Sequence, residues 1–128
     1  MVIIKSLANA DIEIEADTFE KSNLNGLNLH RALLSKTNMS KSSLKGTNLR
    51  NAEIYQSDLS YSNLSNSNLI LAELYESKLM YCNLSNAICL HSNFSKADLT
   101  YANFHNARVN KANFNKAILI GTNMNCED

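Results

Sequence analysis

The sequence predicts an all-β solenoid, in which short coils of chain stack on one another. Every fifth residue from Leu24 to Met124 is apolar, at 21 consecutive positions, which we call central residues. A small residue (Ala, Ser, Thr or Cys) stands two places before the central residue at 20 of these positions, and Leu27 is the exception. The chain has no proline and 20 asparagines, of which 11 directly precede a central residue.

The five-residue spacing excludes a long helix and a long straight strand. A helix turns by about 100° per residue, so apolar residues five apart would spread around all its sides. Strand side chains alternate, so residues five apart would point to opposite faces. A chain that bends once every five residues returns each central residue to the inside. Such short self-similarity is typical of solenoids, whose units are buried only by stacking.

The residues around each central position suit this arrangement. We expect the asparagines to supply the bends, because their side chains bond nearby backbone and tolerate unusual φ and ψ. The absence of proline is consistent with coils that donate backbone N–H groups to their neighbours. Central and small residues together fill a narrow interior, and each buried central residue contributes about 1.5–3 kcal/mol.

Three segments carry a recognisable motif: residues 97–101 read ADLTY, residues 102–106 ANFHN and residues 112–116 ANFNK. The pattern resembles that of the pentapeptide repeat proteins over residues 22–126. This resemblance implies a right-handed quadrilateral β-helix with four pentapeptides per coil. At a strand spacing of about 4.8 Å, about five coils would form a tube roughly 25 Å long. Leu27 departs from the pattern, so we expect a less regular first coil.

The chain is interpreted as one domain with distinct ends. Residues 1–21 follow the motif poorly and are predicted to form an N-terminal cap of one or two imperfect strands. Residues 22–126 form the β-helix, and residues 127–128 are a tail. The C-terminal end is expected to be uncovered and to lack a dimerisation helix. Its apolar Ile118, Leu119 and Ile120 are a candidate end-to-end homodimer contact; the alternative is a frayed monomer end.

Composition narrows the function classes. Twelve basic and twelve acidic residues give a net charge of zero. The sequence has no apolar run of membrane-spanning length and no signal-peptide core, so we expect a cytoplasmic protein without a membrane partner.

Cys82 and Cys89 fall on inward positions and are predicted to be buried, reduced thiols. No Cys/His cluster has ligand spacing, so neither a metal nor another cofactor is expected.

Catalysis finds little support. His30, His91 and His105 fall at different positions of the twenty-residue period, so none stacks on another. The glycines are isolated and form no phosphate-binding loop. A filled interior also leaves no pocket for a substrate. We therefore predict a non-enzyme with no catalytic, cofactor-binding or metal-binding residues.

Four repeats per coil would place residues twenty apart above one another. Tyr55 then stacks on Tyr75, Glu53 on Glu73, and a second column joins Tyr61, Tyr81 and Tyr101. These seven residues are the candidate partner surface, because tyrosine is enriched at binding sites. The alternative is that the stacked rings only stabilise neighbouring coils. A smaller apolar patch of Ile70, Leu71, Leu90 and His91 is open to the same two interpretations.

Three functions remain as hypotheses. The first is a scaffold that binds an unidentified protein partner. The second follows from the resemblance, because some pentapeptide repeat proteins mimic duplex DNA and bind type II topoisomerases; those are longer, acidic, dimeric rods with a C-terminal helix. The third is weak nucleic-acid binding through the basic residues of segment 21–50, which contains no acid. Because these bases spread over several sides, nucleic acid is an unlikely partner.

Overall fold

The computed structural model describes residues 1–14 and 17–127, and the regular structure of these residues consists of β-strands and β-bridges. Parallel bridges join residues twenty apart, from Asn23 with Ser43 to Asn103 with Asn123. Every residue of these bridges directly precedes a central residue, and the further bridge of Arg108 with Glu127 in the last coil is the exception. The predicted solenoid with a twenty-residue coil is therefore confirmed. The described part of the chain contains no helix with the length and apolar character to cross a membrane.

Each pentapeptide combines one bridge with one turn. The N–H of Ala52 donates to the Leu49 carbonyl at 3.0 Å, which closes a four-residue turn after the central residue. From Leu24 to Leu119, the second residue after each central one has a positive φ, between +55° and +61° at the 17 positions that are not glycine. Lys21, two residues after Phe19, has the same conformation. Type II turns need a positive φ at the corresponding place. One such corner every five residues bends the chain four times per coil.

The expectation that asparagines contribute to the bends is confirmed in two ways. Four of them, Asn51, Asn66, Asn86 and Asn106, adopt the positive φ of the corners, whereas the 11 that precede a central residue bond nearby backbone. All 11 of them accept, through Oδ1, a hydrogen bond from the N–H two residues later; an example is Asn63 with Ser65 at 2.9 Å. They hold the chain that leads into the turn, while the residue three positions later adopts the positive φ. Asp58 and Asp98 make the same bond.

The interior is filled in the predicted way. Central residues from Leu24 to Phe104 are at most 1% exposed. Near the C-terminal end, the rings of Phe94 and Phe114 stack with centroids 5.2 Å apart. Hydroxyls in the small positions donate to the carbonyls of central residues, as Ser62 does to Leu59 at 2.6 Å. These buried hydroxyls are thereby paired without breaking the apolar column.

The N-terminal end is covered by a small sheet. Strand β1 (Val2–Ser6) pairs antiparallel with β2 (Ile12–Ile14) and with β3 (Ala32–Leu33), in the order β2-β1-β3. Ile4, only 1% exposed, belongs to the core cluster. Residues 15 and 16 of the predicted cap, and residue 128 of the predicted tail, lie outside the described residues.

The expectation of an irregular first coil is wrong. Leu27 is partly buried against the core, and its N–H donates to the Leu24 carbonyl at 3.3 Å as in other turns. The following residue, Asn28, bridges Asn48 in the ordinary register. The large side chain is therefore accommodated without a change in register.

The last coil differs from those before it. Val109 and Phe114 are partly buried, and the central residue Leu119 is 42% exposed. Arg108 bridges Glu127 rather than residue 128, so the final corner is one residue shorter than the others. Cys126 is thereby drawn partly into the core.

Candidate partner-binding surface

The coil period brings the five tyrosines together in two ladders. In the short ladder, the rings of Tyr55 and Tyr75 stack with centroids 4.7 Å apart and planes within 5° of parallel. In the long ladder, Tyr81 stacks on Tyr61 at 5.0 Å and on Tyr101 at 5.2 Å. These distances are close to the spacing of neighbouring strands, because one ring is supplied by each coil.

The two ladders occupy different positions of the repeat. Tyr55 and Tyr75 directly follow a central residue, so they lie on one side of the tube and are half-buried. Tyr61, Tyr81 and Tyr101 occupy the corner of the following repeat, at φ values of 61°, 58° and 55°. They are 50–58% exposed. A bulky residue is disfavoured at positive φ. The long ladder therefore combines backbone strain with exposed aromatic area.

Three carboxylates surround the short ladder. Glu53 and Glu73 are bridge partners on the same side, and Glu76 is exposed at the corner. Asn93 Nδ2 donates to Glu73 Oε2 at 3.0 Å. The ion pair found among residues 1–14 and 17–127 joins Lys5 and Asp11, so these three carboxylates have no cationic partner there.

The ionisation of Tyr75 reflects these neighbours. Its partial burial, the stacked Tyr55 and the carboxylates of Glu73, Glu76 and Glu53 raise the pKa of Tyr75 above its ordinary value. The phenol is therefore a neutral hydrogen-bond donor at physiological pH. We name Tyr55, Tyr75, Glu53 and Glu73 the Tyr/Glu side.

The apolar patch lies at the corner before the Tyr/Glu side. Leu71 is 42% exposed with φ +60°, Ile70 and Leu90 are half-buried, and His91 is exposed. The structure adds Ile88, also half-buried, which the sequence interpretation missed. Comparing residues twenty apart would have found it, because Ile88 stands where the preceding coil has Asn68.

The C-terminal trio is exposed in the last coil. Ile118, Leu119 and Ile120 are 45%, 42% and 65% exposed. Leu119 belongs to the central positions that are buried in every earlier coil. The trio follows both ladders in the sequence and adjoins the end of the long ladder, where the N–H of Tyr101 donates to the Ile120 carbonyl at 2.9 Å.

The remaining reactive side chains lie apart from these surfaces. Burial raises the pKa of the Cys82 thiol to about 12, against a weak opposing effect of its contact with Ser62. Burial likewise raises the pKa of Cys89 and of Cys126.

His105 Nδ1 lies 3.3 Å from Asn125 Nδ2. Within the described ranges, no cavity is detected, and no three His, Cys, Asp or Glu side chains are grouped to hold a metal.

Comparison with solved structures places the fold among known relatives. Rfr23, a pentapeptide repeat protein from the cyanobacterium Cyanothece 51142, matches with a TM-score of 0.77 and 21% identity, over 84% of this chain and 85% of that chain. The pentapeptide repeat protein alr5209 from Nostoc PCC 7120 is 32% identical, with a TM-score of 0.49, over 66% and 62%. QnrB1, a plasmid-mediated fluoroquinolone resistance protein, is 12% identical with a TM-score of 0.47, over 70% and 57%.

The likeness to Rfr23 shows a shared right-handed β-helix and, at this identity, nothing of a shared partner. No significant match was found among curated protein sequences. The family described as "Pentapeptide repeats" matches in eight copies over residues 18–51, 47–83 and 77–115, which is most of the chain. Together with the twenty-residue coils and their four corners, this match shows that the chain belongs to the pentapeptide repeat family.

Proposed function

We propose that this protein is a non-enzymatic interaction module, whose protein partner binds the two tyrosine ladders and the Tyr/Glu side. The observation that carries the proposal is the arrangement of all five tyrosines in two partly exposed stacks on adjacent sides. Tyrosine offers a large contact area with few rotatable bonds, so it loses little entropy on binding. A phenol at the edge of such a stack also donates a hydrogen bond.

The rigidity of the tube supports the same function. Backbone hydrogen bonds of 2.7–3.1 Å join the coils on every side, as between Leu64 and Asn83 or Tyr81 and Thr100. Side chains mounted on such a frame are held in place before the partner arrives. A preorganised surface avoids part of the ordering cost of association. The filled interior leaves the outer surface as the place for recognition.

Variants on opposite sides of the tube test this proposal. The wild-type protein, Tyr55→Ala/Tyr75→Ala and a control would be immobilised, and captured proteins quantified by mass spectrometry. Ser85→Ala/His105→Ala is a matched control, because these residues also directly follow central residues but lie on the opposite side. We expect the tyrosine variant to lose proteins that the control retains. Identical captured sets from all three, with circular dichroism showing folded variants, would remove the short ladder from recognition; the same comparison with Tyr61→Ala/Tyr81→Ala/Tyr101→Ala tests the long ladder.

A second contact of the module joins two copies end to end through Ile118, Leu119 and Ile120. Their exposure supports this contact, since three adjacent apolar side chains in water are unfavourable. The module acts in the cytoplasm; the free thiols of Cys82, Cys89 and Cys126 support a reducing compartment.

A further inference from the structure

Leu71 occupies a position that the fold alone does not account for. Its φ of +60° disfavours a branched side chain, and 42% of the residue is exposed. The other residues of this corner, in the coils above and below, are all polar: Arg31, Asn51, His91 and Lys111. Leucine therefore accepts both an unfavourable backbone conformation and contact with water. Since every corner of the tube has a positive φ, the feature that sets Leu71 apart from its column is an exposed apolar side chain where the other residues are polar, and such exposure points to a contact.

Leu71 also connects two different surfaces. On one side it adjoins half-buried Ile70, below which Ile88 and Leu90 continue the apolar area in the next coil. On the other side the chain continues to the Tyr/Glu side: Ala72 and Leu74 enter the core, while Glu73 and Tyr75 stay at the surface. An apolar centre and an acidic, aromatic border therefore form one continuous surface.

The border carries two negative charges, on Glu53 and Glu73, whose bridge neighbours in the adjoining coils, Leu33 and Asn93, are uncharged. Glu53 and Glu73 are directly opposite each other, an arrangement that is unfavourable for like charges. The other two acids of residues 51–76 have basic neighbours in the next coil, since Asp58 is bridged to Lys78 and Glu76 stands twenty residues before Lys96. An incoming cation would relieve the repulsion between Glu53 and Glu73, and an arginine could also stack on an exposed tyrosine face.

We infer that this surface binds a segment of the partner protein in which an apolar side chain is flanked by lysine or arginine. The inference rests on the proposed function and specifies the chemistry of the partner. Leu71, Ile70, Ile88 and Leu90 take the apolar side chain. Glu53 and Glu73 bind the flanking cations and speed the approach of a basic segment. The same charges repel the phosphates of nucleic acid.

Selection from a random twelve-residue peptide display library, on the immobilised full chain at low salt, tests the chemistry. Leu71→Asn is the informative variant, because Asn51 already occupies the same corner at φ +57° and the fold accepts it. We expect enriched peptides to combine basic and apolar residues. Their affinity should fall about tenfold or more for Leu71→Asn and for Glu53→Gln/Glu73→Gln, and should fall with added salt. Ser85→Ala should bind like the wild type.

The opposite results are equally clear. The inference would be overturned by any of three results: enriched peptides that are neutral or acidic, no enrichment at all, or basic peptides whose affinity for Leu71→Asn equals that for the wild type. Capture with the tyrosine variants separates this failure from failure of the proposed function. If partners are lost with Tyr55→Ala/Tyr75→Ala while peptides contradict the expected chemistry, only the chemistry is wrong. If the captured sets are identical, the proposed function fails irrespective of the peptides.

Discussion

Gly121 lies so close to the ring of Tyr101 that a Cβ added to it would be 2.4 Å from Cε1 of the ring. Gly121 continues the corner column of the long ladder, one coil beyond Tyr101. The missing side chain allows the last ring to lie over the backbone of the final coil while it remains stacked on Tyr81. The ladder thus ends on a glycine for a steric reason, in addition to the positive φ.

Gly121→Ala should destabilise the protein by two separable effects. Alanine at φ +64° costs roughly 1–2 kcal/mol, and displacing the Tyr101 ring removes a stacking contact of about 0.5–1.5 kcal/mol. Urea unfolding of Gly121→Ala, Tyr101→Ala and the double variant would measure the coupling. In the Tyr101→Ala background, Gly121→Ala should lower the free energy of unfolding only by the contribution of the unfavourable backbone conformation. Equal costs in both backgrounds would show that the ring does not contact residue 121 in solution.

Stability should depend on position along the tube. Leu64→Ala removes a fully buried side chain and should cost about 2–5 kcal/mol. Leu119→Ala follows the same five-residue pattern, but its side chain is 42% exposed in the single chain. Measured in Ile118→Lys/Ile120→Lys, where the proposed end-to-end contact is broken, it should therefore cost less than about 1 kcal/mol. Chemical denaturation of the two variants provides the comparison, with each serving as the other's matched control. Similar losses would show that the end coil is covered in solution.

Stability should decline at high pH because a buried thiol resists ionisation. The pKa of Cys82 rises from an ordinary value of 9.0 to about 12 on folding. The unfolded chain therefore releases this proton first, and the contribution of the neutral thiol is complete below pH 9 and is lost between about pH 9 and 12. The urea midpoint, measured at pH 8, 9.5 and 10.5, should fall less steeply with pH in Cys82→Ala, because this variant lacks the thiol. Alanine fits this site, since Ala102 occupies the equivalent position one coil later. The remaining slope reflects Cys89 and Tyr75, whose pKa values shift in the same direction. An unchanged slope would contradict a buried Cys82.

The proposed end-to-end contact predicts a dimer in solution. Light scattering should give twice the mass of the 14.3 kDa chain at high micromolar concentration. Ile118→Lys/Ile120→Lys places like charges on both copies and should give a monomer. Leu71→Asn is exposed on another part of the tube and should remain dimeric. A monomeric wild-type protein would exclude the contact.

Type II topoisomerases provide a test of the alternative function. A DNA mimic presents a strongly negative surface, whereas this chain carries equal numbers of acidic and basic residues. We expect DNA gyrase supercoiling to be unchanged by micromolar protein. A titratable effect on supercoiling, absent in a heat-denatured control, would revive this hypothesis.

Much of the candidate surface could be predicted because the fold is periodic. Once residues twenty apart are neighbours, Tyr55 must lie beside Tyr75, and Glu53 beside Glu73. The importance of Gly121 and Ile88 was not predicted, since it depends on what neighbouring coils place against them. Exposure of Leu71 follows from the pattern, but its backbone conformation does not.

The sequence by itself determined the solenoid, because a bend every five residues follows from the spacing of the apolar residues. The twenty-residue coil, and with it the vertical partners of the surface residues, was implied by the resemblance to the pentapeptide repeat proteins. The tertiary structure decided where along each repeat the chain bends, how β1 covers the first coil, and that Arg108 pairs with Glu127. It also separated Leu64 from Leu119, which the five-residue pattern treats alike. The physical reason is that burial in a stacked tube depends on the coil on each side, and at an end one of those coils is missing.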